Sequence, residues 1–345
     1  MMQDNRVPKP PLDPQINPQL NLSPRLNHSV NPPVDLPTLM EVWESTLGWQ
    51  PSNAQQQQFQ QLYAGILEGN QRLNLTRITE PTEFWEKHLW DSLSGLVPFL
   101  GEPDRRIKRW DIACEPSVAN QDADAPVPEG QIAEEQVPGL GASTPDLRAA
   151  SEGQPVPLRS DGLAAEQISA LGHLPARPFT VIDIGTGAGF PGIPVAIAFQ
   201  DATVTLLDST RKKIAFIDEL LAALNLPNAK TLVERVEQIG QQRHHREAYD
   251  IALLRAVAPA TVCAEYALPL LKVNGLAILY RGQWTADEAE ALESAIAQLG
   301  GTLEQVAQFT TPLSHSTRHC LYLRKVAPTP LQFPRAVGVP TQVPL

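Results

Sequence analysis

The chemistry-bearing residues of this 345-residue chain are densest in VIDIGTGAGFPGIP, residues 181–194. Gly185, Gly187 and Gly189 stand where an apolar strand runs into a helix, and Pro191 suits the first turn of that helix. Glycines there let the backbone take positive φ and approach a ligand with no Cβ in the way. Two ligands fit. Gly187-Ala188-Gly189-Phe190-Pro191-Gly192 matches G-x-G-x-x-G, which seats a pyrophosphate on a helix N-terminus. The overlapping frame, acid-x-Gly-x-Gly-x-Gly from Asp183, is the loop that S-adenosyl-L-methionine enzymes wrap around the methionyl group. Asp208, ending the next strand about twenty residues on, suits the ribose of either ligand. Asp183 separates them better: a carboxylate at the strand end can hold a cationic amino group but repels a pyrophosphate. The bland alternative is that Asp183 only caps a backbone turn.

Other residue types narrow the reaction. The run LLRAVAP (253–259) carries Arg255 but lacks the Asp/Asn-Pro-Pro-Tyr/Phe signature that steadies an exocyclic amine. Cys263 is the one thiol close to this segment. It falls inside an apolar helical run and reads as core rather than nucleophile. His88 and Asp91, three residues apart, share a helix face; they can close over a ligand or simply fasten their helix to its neighbour.

Strands and helices must position these groups. FTVIDIG, ATVTLLD, NAKTLVERV, YDIALLR and GLAILYRG read as strands separated by helical stretches such as TRKKIAFIDELLAAL. That alternation requires a parallel sheet covered on both faces. TLEQVAQFT and RHCLYLRKV follow with only a turn-rich link and should form an antiparallel hairpin at the sheet's edge. Upstream, Leu39, Val42, Trp43 and Leu47 mark one helix stopped by Gly48. A second runs from the N-cap Ser52 through Phe59, Leu62, Tyr63, Ile66 and Leu67 to Gly69. A third begins at Pro81 and ends near Val97. Three short amphipathic helices bury little alone, so they should dock on the sheet as a cap. The reading is an α/β, Rossmann-like fold: a cap over 39–100 and a catalytic domain over 179–327.

The remaining segments are rich in proline: 24 of the 33 prolines fall in 1–38, 101–178 and 328–345. These are expected to be disordered, apart from a short helix around 163–171. Between Trp110 and Ala176, eleven acidic residues face two arginines, which accounts for −9 of the net charge of −11. The acidity therefore says little about the folded surface and does not exclude a nucleic-acid partner. No eighteen-residue apolar run exists, so no membrane span is expected. MMQDNRVPKPPLDPQ has no apolar signal core, and three widely spaced cysteines suggest neither disulfides nor a zinc cluster. A reducing cytoplasm fits.

The chain resembles the bacterial 16S ribosomal RNA methyltransferase G family, also called glucose-inhibited division protein B. The resemblance rests on LNLTRIT (73–79), KHLWDSL (87–93), VIDIGTGAGFPGIP (181–194), LLDSTRKKIAFI (206–217), RVE (235–237) and YDIALLRAVAP (249–259), in the family's order. It implies a class I S-adenosyl-L-methionine-dependent enzyme that methylates N7 of a guanine in small-subunit rRNA. It also implies donor contacts at Gly185, Phe190, Asp208, Ser209, Thr210, Val236, Glu237 and Arg255. The 101–178 insertion and the long tails depart from the family pattern.

Guanine N7 has an in-plane lone pair and no proton to lose. Transfer to it needs orientation and water exclusion, effects worth roughly 7–11 kcal/mol, and neither a general base nor a thiolate. Arg255 can offer a fork of hydrogen bonds to guanine O6 or a phosphate, or can pair with Asp183 or Asp208. Candidate RNA contacts are Arg72, Arg77, Arg211-Lys212-Lys213, Arg243-His244-His245-Arg246, Arg281 and Arg318. With no recognised RNA-binding module, weak binding to isolated RNA and a preference for a shaped small-subunit particle are expected, with no DNA partner and a monomeric enzyme. The rivals are a small-molecule methyltransferase, a nicotinamide-dependent oxidoreductase and a non-catalytic scaffold.

Overall fold

The computed structural model describes residues 35–100 and 178–345; the expected N-terminal tail up to 34, the insertion from 101 to 177 and the helix at 163–171 lie outside the described residues. Seven strands form one sheet: β1 (Thr180–Ile184), β2 (Thr203–Asp208), β3 (Ala229–Val233), β4 (Tyr249–Arg255), β5 (Leu271–Arg281), β6 (Gly301–Thr310) and β7 (Thr317–Lys325). Their order is β3-β2-β1-β4-β5-β7-β6. The first five are parallel; β7 enters antiparallel between β5 and β6, which places Ala277 opposite Leu323 and Leu303 opposite that same residue. The order reverses direction between β1 and β4, where open α/β sheets place their ligands.

The helical part begins with α1 (Met40–Leu47), whose Trp43 and Leu47 are buried and whose end is set by Gly48 in the left-handed conformation. Ser52 and Gln55 form a capping box that starts α2 (Asn53–Leu73). This helix runs four residues past the stop expected at Gly69. The glycine serves close packing instead: a Cβ there would lie 2.2 Å from the Phe216 ring. The third helical stretch opens with Glu80 accepting from the Thr82 and Glu83 amides. It continues as α3 (Pro81–Phe84), a π-helical segment Trp85–Trp90 and α4 (Asp91–Ser94). The sheet's own helices are α5 (Gly192–Ala198), α6 (Arg211–Ala223), α7 (Val236–Ile239), α8 (Ala260–Ala267), α9 (Ala286–Leu299) and α10 (Val339–Gln342).

Two apolar clusters flank the sheet. Alternation along β1 divides it: Val181 joins the cluster shared with the cap, while Ile182 and Ile184 join the opposite one. The cap-side cluster is continuous from Trp43, Phe59, Ile66 and Leu93 to Ile193, Phe216 and Ile251, so cap and sheet share one core.

Proline content misleads at the C-terminus. The segment 328–345, expected to be disordered, is packed. Phe333 is buried, the Thr329 hydroxyl donates to Leu299 O (2.7 Å), and Arg335 makes a forked ion pair with the fully buried Glu265 (2.6–3.1 Å). Arg246 donates to the carbonyls of Gly240, Phe333, Thr329 and Pro330. The segment needs no ladder because side chains from the body satisfy its backbone. At the other end Leu36 N–H donates to Gln60 Oε1 (2.8 Å), which docks 35–38 on α2.

Candidate donor and acceptor site

The loop after β1 is fastened to β2, where Leu207 O accepts from the amides of Gly185 (2.8 Å) and Thr186 (2.9 Å). All three loop glycines have positive φ: 73° at Gly185, 62° at Gly187 and 98° at Gly189. Gly189 is also pressed from outside, since a Cβ there would lie 2.3 Å from Ile193 Cδ1. The Asp208 carboxylate accepts from Gly187 N–H (3.1 Å) and Thr210 N–H (2.8 Å), joining the loop to the turn that starts α6.

Beside this turn lies a cleft of about 240 Å³ at the C-terminal ends of the parallel strands. Gly185, Asp208, Ser209 and Val236, four of the residues named above as donor contacts, line it. Arg235, Val257, Ala258 and Tyr266 also line it, and Thr341 comes from the far end of the chain. Tyr266 carried a weak signal as an aromatic with a polar tip in an apolar helix. Thr341 carried none.

Several predicted residues stand elsewhere. Asp183 is fully buried and lies below the cleft, with Oδ2 accepting from Gly192 N–H (2.8 Å) at the start of α5. Alternation along β1 points it to the cap side, where the covered core closes over it. Through that bond it braces the loop. Burial pushes its pKa up to about 6, against the opposing pull of Thr186, the Gly192 amide and Arg255. Phe190 is likewise buried away from the cleft. It stacks on His88 (ring centroids 4.4 Å apart, 11° between planes) and meets Phe84 edge-on. Glu237 is buried behind Val236, where its Oε1 accepts from Arg235 Nη2 (3.0 Å), Tyr266 Oη (3.3 Å) and Gly338 N–H (3.0 Å). Its Oε2 and the Oδ1 of Asp183 are buried with no hydrogen-bond partner among the described residues.

Arg255 pairs with neither Asp183 nor Asp208. Its Nη1 donates to Asp91 Oδ2 (3.0 Å), Lys87 O (3.0 Å) and Ser92 Oγ (3.4 Å), tying β4 to the cap. Its guanidinium lies 5.6 Å from the Phe190 ring centroid. Arg318 approaches the other oxygen of Asp91 at 3.7 Å. Asp91 and His88 therefore fasten the cap. Burial first, then the Arg255 and Lys87 charges, lower the His88 pKa to about 3, so the imidazole is neutral beside the Thr76 hydroxyl (2.9 Å). Cys263 donates to Ala258 O (3.3 Å), and burial pushes its thiol up to about 11. Arg246 and Arg281 are committed to carbonyls and to Glu288, whereas Arg72, Arg77, Arg211 and Lys212 are exposed.

The family model for rRNA small subunit methyltransferase G matches residues 55–112 and 165–320. The chain belongs to that family. It is 50% identical over 310 residues to ribosomal RNA small subunit methyltransferase G of Nostoc punctiforme, covering 90% of this chain and 98% of that protein. The Trichormus variabilis protein of the same name is 51% identical over the same shares. The one from Microcystis aeruginosa is 45% identical over 84% of this chain and 99% of its own. The chain is thus an enzyme, a methyltransferase, and its methyl donor is S-adenosyl-L-methionine. No helix among the described residues is long and apolar enough to cross a membrane.

Proposed function

We propose that this chain methylates N7 of a guanine in 16S rRNA and holds S-adenosyl-L-methionine in the cleft at the ends of β1, β2 and β3. The similarity across nine tenths of the chain carries this reading, and the site's residues fit the donor. Asp208 stands at the lip of the cleft for ribose hydroxyls, and Ser209 and Val236 flank the space beyond it. Glu237 Oε2, a buried acceptor with no hydrogen-bond donor among the described residues, suits the exocyclic amine of a purine. Gly185 offers backbone at the methionyl side.

The bound donor supplies an electrophilic methyl group on a sulfonium. The protein's own part is orientation and the exclusion of water. Asp183 holds the start of α5 and so the loop, while Arg255 and Asp91 hold the cap against β4. Only Nη1 of Arg255 is hydrogen-bonded among the described residues, which leaves Nε and Nη2 to meet guanine O6 or a phosphate. No side chain has to take a proton, and the shut thiol of Cys263 suits transfer to nitrogen rather than carbon. Arg211 and Lys212, exposed beside Asp208 at the start of α6, and Arg318 beside Arg255 give the site the basic margin that an RNA acceptor needs. The acceptor is the small-subunit particle or its 16S rRNA, not DNA, and the enzyme acts in the cytoplasm as a monomer.

The test is transfer from radiolabelled donor to 30S particles or 16S rRNA taken from a strain lacking the enzyme. Label at guanine N7 is the expected result; label on an exocyclic nitrogen or on carbon overturns the reading.

A further inference from the structure

Beyond Lys325 the chain leaves the sheet and passes outside the span that the family model matches, which ends at 320. It then crosses to the donor cleft. Phe333 is buried, Pro334 packs where a Gly240 side chain would stand, and Arg335 is clamped on Glu265 of α8. These anchors deliver Gly338 to Glu237, where its N–H donates to Oε1 at 3.0 Å with φ at +85°. The chain turns into α10 and brings Thr341 to the cleft, opposite residues supplied by β1, β2 and the end of β3.

Glu237 therefore faces two ways. One oxygen collects Gly338 N–H together with Arg235 and Tyr266, two residues that themselves line the cleft. The other has no partner among the described residues and stays buried. A buried acceptor left so is costly, and a hydrogen-bond donor that reaches it would relieve that cost. The same event fixes the carboxylate in the orientation that serves Arg235, Tyr266 and Gly338.

We propose that residues 338–345 are a wall of the methyl-donor cleft. Thr341 contacts the adenosyl end of the donor, and donor binding and docking of this wall reinforce each other through Glu237. This rests on the reading that the cleft holds the donor. Reciprocity is required: if the wall tightens donor binding, the donor must tighten the wall by the same factor.

The experiment uses S-adenosylhomocysteine as probe and equilibrium binding as readout, on the full chain and on a chain ending at Val337. That truncation keeps Phe333 and Arg335, so the anchors of the segment remain. Loss of the Gly338 bond and of the Thr341 surface should weaken binding by about tenfold, or 1.4 kcal/mol. A second variant, Thr341→Trp, leaves every anchor in place and puts an indole at the lip; it should weaken binding similarly and decides the matter if the truncated chain does not fold. Hydrogen exchange on the full chain supplies the reciprocal measurement, with the amides of 338–345 slowed by the probe. Equal affinity of variants and full chain overturns the proposal but leaves the donor reading intact. Tighter binding by the truncated chain also overturns it, because the segment would then be a competitor. If the full chain itself fails to bind the probe, the donor reading falls and the proposal with it.

Discussion

The two ends of the cleft are built on opposite plans. At the glycine-loop end the supporting groups are enclosed: Asp183 is fully buried, Phe190 stacks on His88 with the Arg255 guanidinium 5.6 Å from its ring centroid, and the Gly185 and Thr186 amides are tied to Leu207 O. At the β3 end the surface is open and assembled from distant pieces: Val236 after β3, Tyr266 from α8 and Thr341 from the last residues of the chain. On the proposed reading the enclosed end is the one where the methyl group is aimed, and orientation can contribute roughly 7–11 kcal/mol to such a transfer. The open end suits the part of the ligand that must enter and leave.

The sharpest way to break this contrast is to spoil the enclosed end. In Gly189→Ala a Cβ meets Ile193 Cδ1 at 2.3 Å and must also hold φ at +98°. Strain and overpacking together should cost about 2–5 kcal/mol, lowering the melting temperature and abolishing binding of S-adenosylhomocysteine. A variant with wild-type stability and affinity would show that the loop is not rigidly held.

Asp183→Asn gives the next largest effect, and its sign depends on pH. The folded pKa of about 6 lies above the ordinary value of 3.8, so the stability linked to its protonation is present below about pH 4 and lost as pH rises through 6. His88 runs the other way: its pKa, lowered to about 3, makes stability fall as pH drops from the ordinary 6.5. Only the difference between variant and wild type isolates Asp183. Asn keeps an acceptor for Gly192 N–H without a charge, so it should gain on wild type between pH 4 and 6.5, by a swing on the order of 3 kcal/mol. Urea unfolding at pH 4, 5 and 7 measures it; a difference that stays flat with pH rules out the enclosed, proton-holding carboxylate.

The same division runs through what the sequence discloses. All seven strands are visible as apolar runs, and the glycine loop as a motif, because both are local patterns. The side of β1 that Asp183 occupies is also implicit in strand alternation, but whether that side is covered depends on α3 and the π-helical segment, about a hundred residues upstream. WEKHLW has an ordinary helical pattern and gives no hint of π geometry. Gly69 reads as a stop until Phe216 is seen against it. The C-terminal segment is the most opaque part. Its contacts, Arg335 with Glu265, Arg246 with the carbonyls of Thr329, Pro330 and Phe333, and Gly338 with Glu237, join residues 70 or more positions apart and leave no periodicity.

Arg255→Lys probes the seam where the enclosed end meets the acceptor. A lysine can keep a charge near Asp91 but cannot serve Lys87 O, Asp91 and Ser92 and still present a planar fork outward. Binding of S-adenosylhomocysteine should stay within about threefold. Methyl transfer to 30S particles should fall about 10- to 100-fold, the worth of hydrogen bonds to a charged group at 1.5–3 kcal/mol. Equal losses in binding and transfer would move Arg255 to the donor side of the comparison.

The smallest effect is expected at Cys263, on α8 behind the open end. Its thiol donates to Ala258 O, and burial pushes it up to about 11, so near neutral pH it is neither thiolate nor accessible. Transfer to a pyrimidine carbon would need that sulfur as a nucleophile; transfer to N7 does not. Cys263→Ala removes one weak hydrogen bond and leaves a small cavity, which should cost about 1 kcal/mol of stability. Methyl transfer to 30S particles should stay within about twofold. A loss of 1000-fold or more with folding and donor binding preserved would make the open end the seat of covalent chemistry, and would reverse the assignment of aim to one end and exchange to the other.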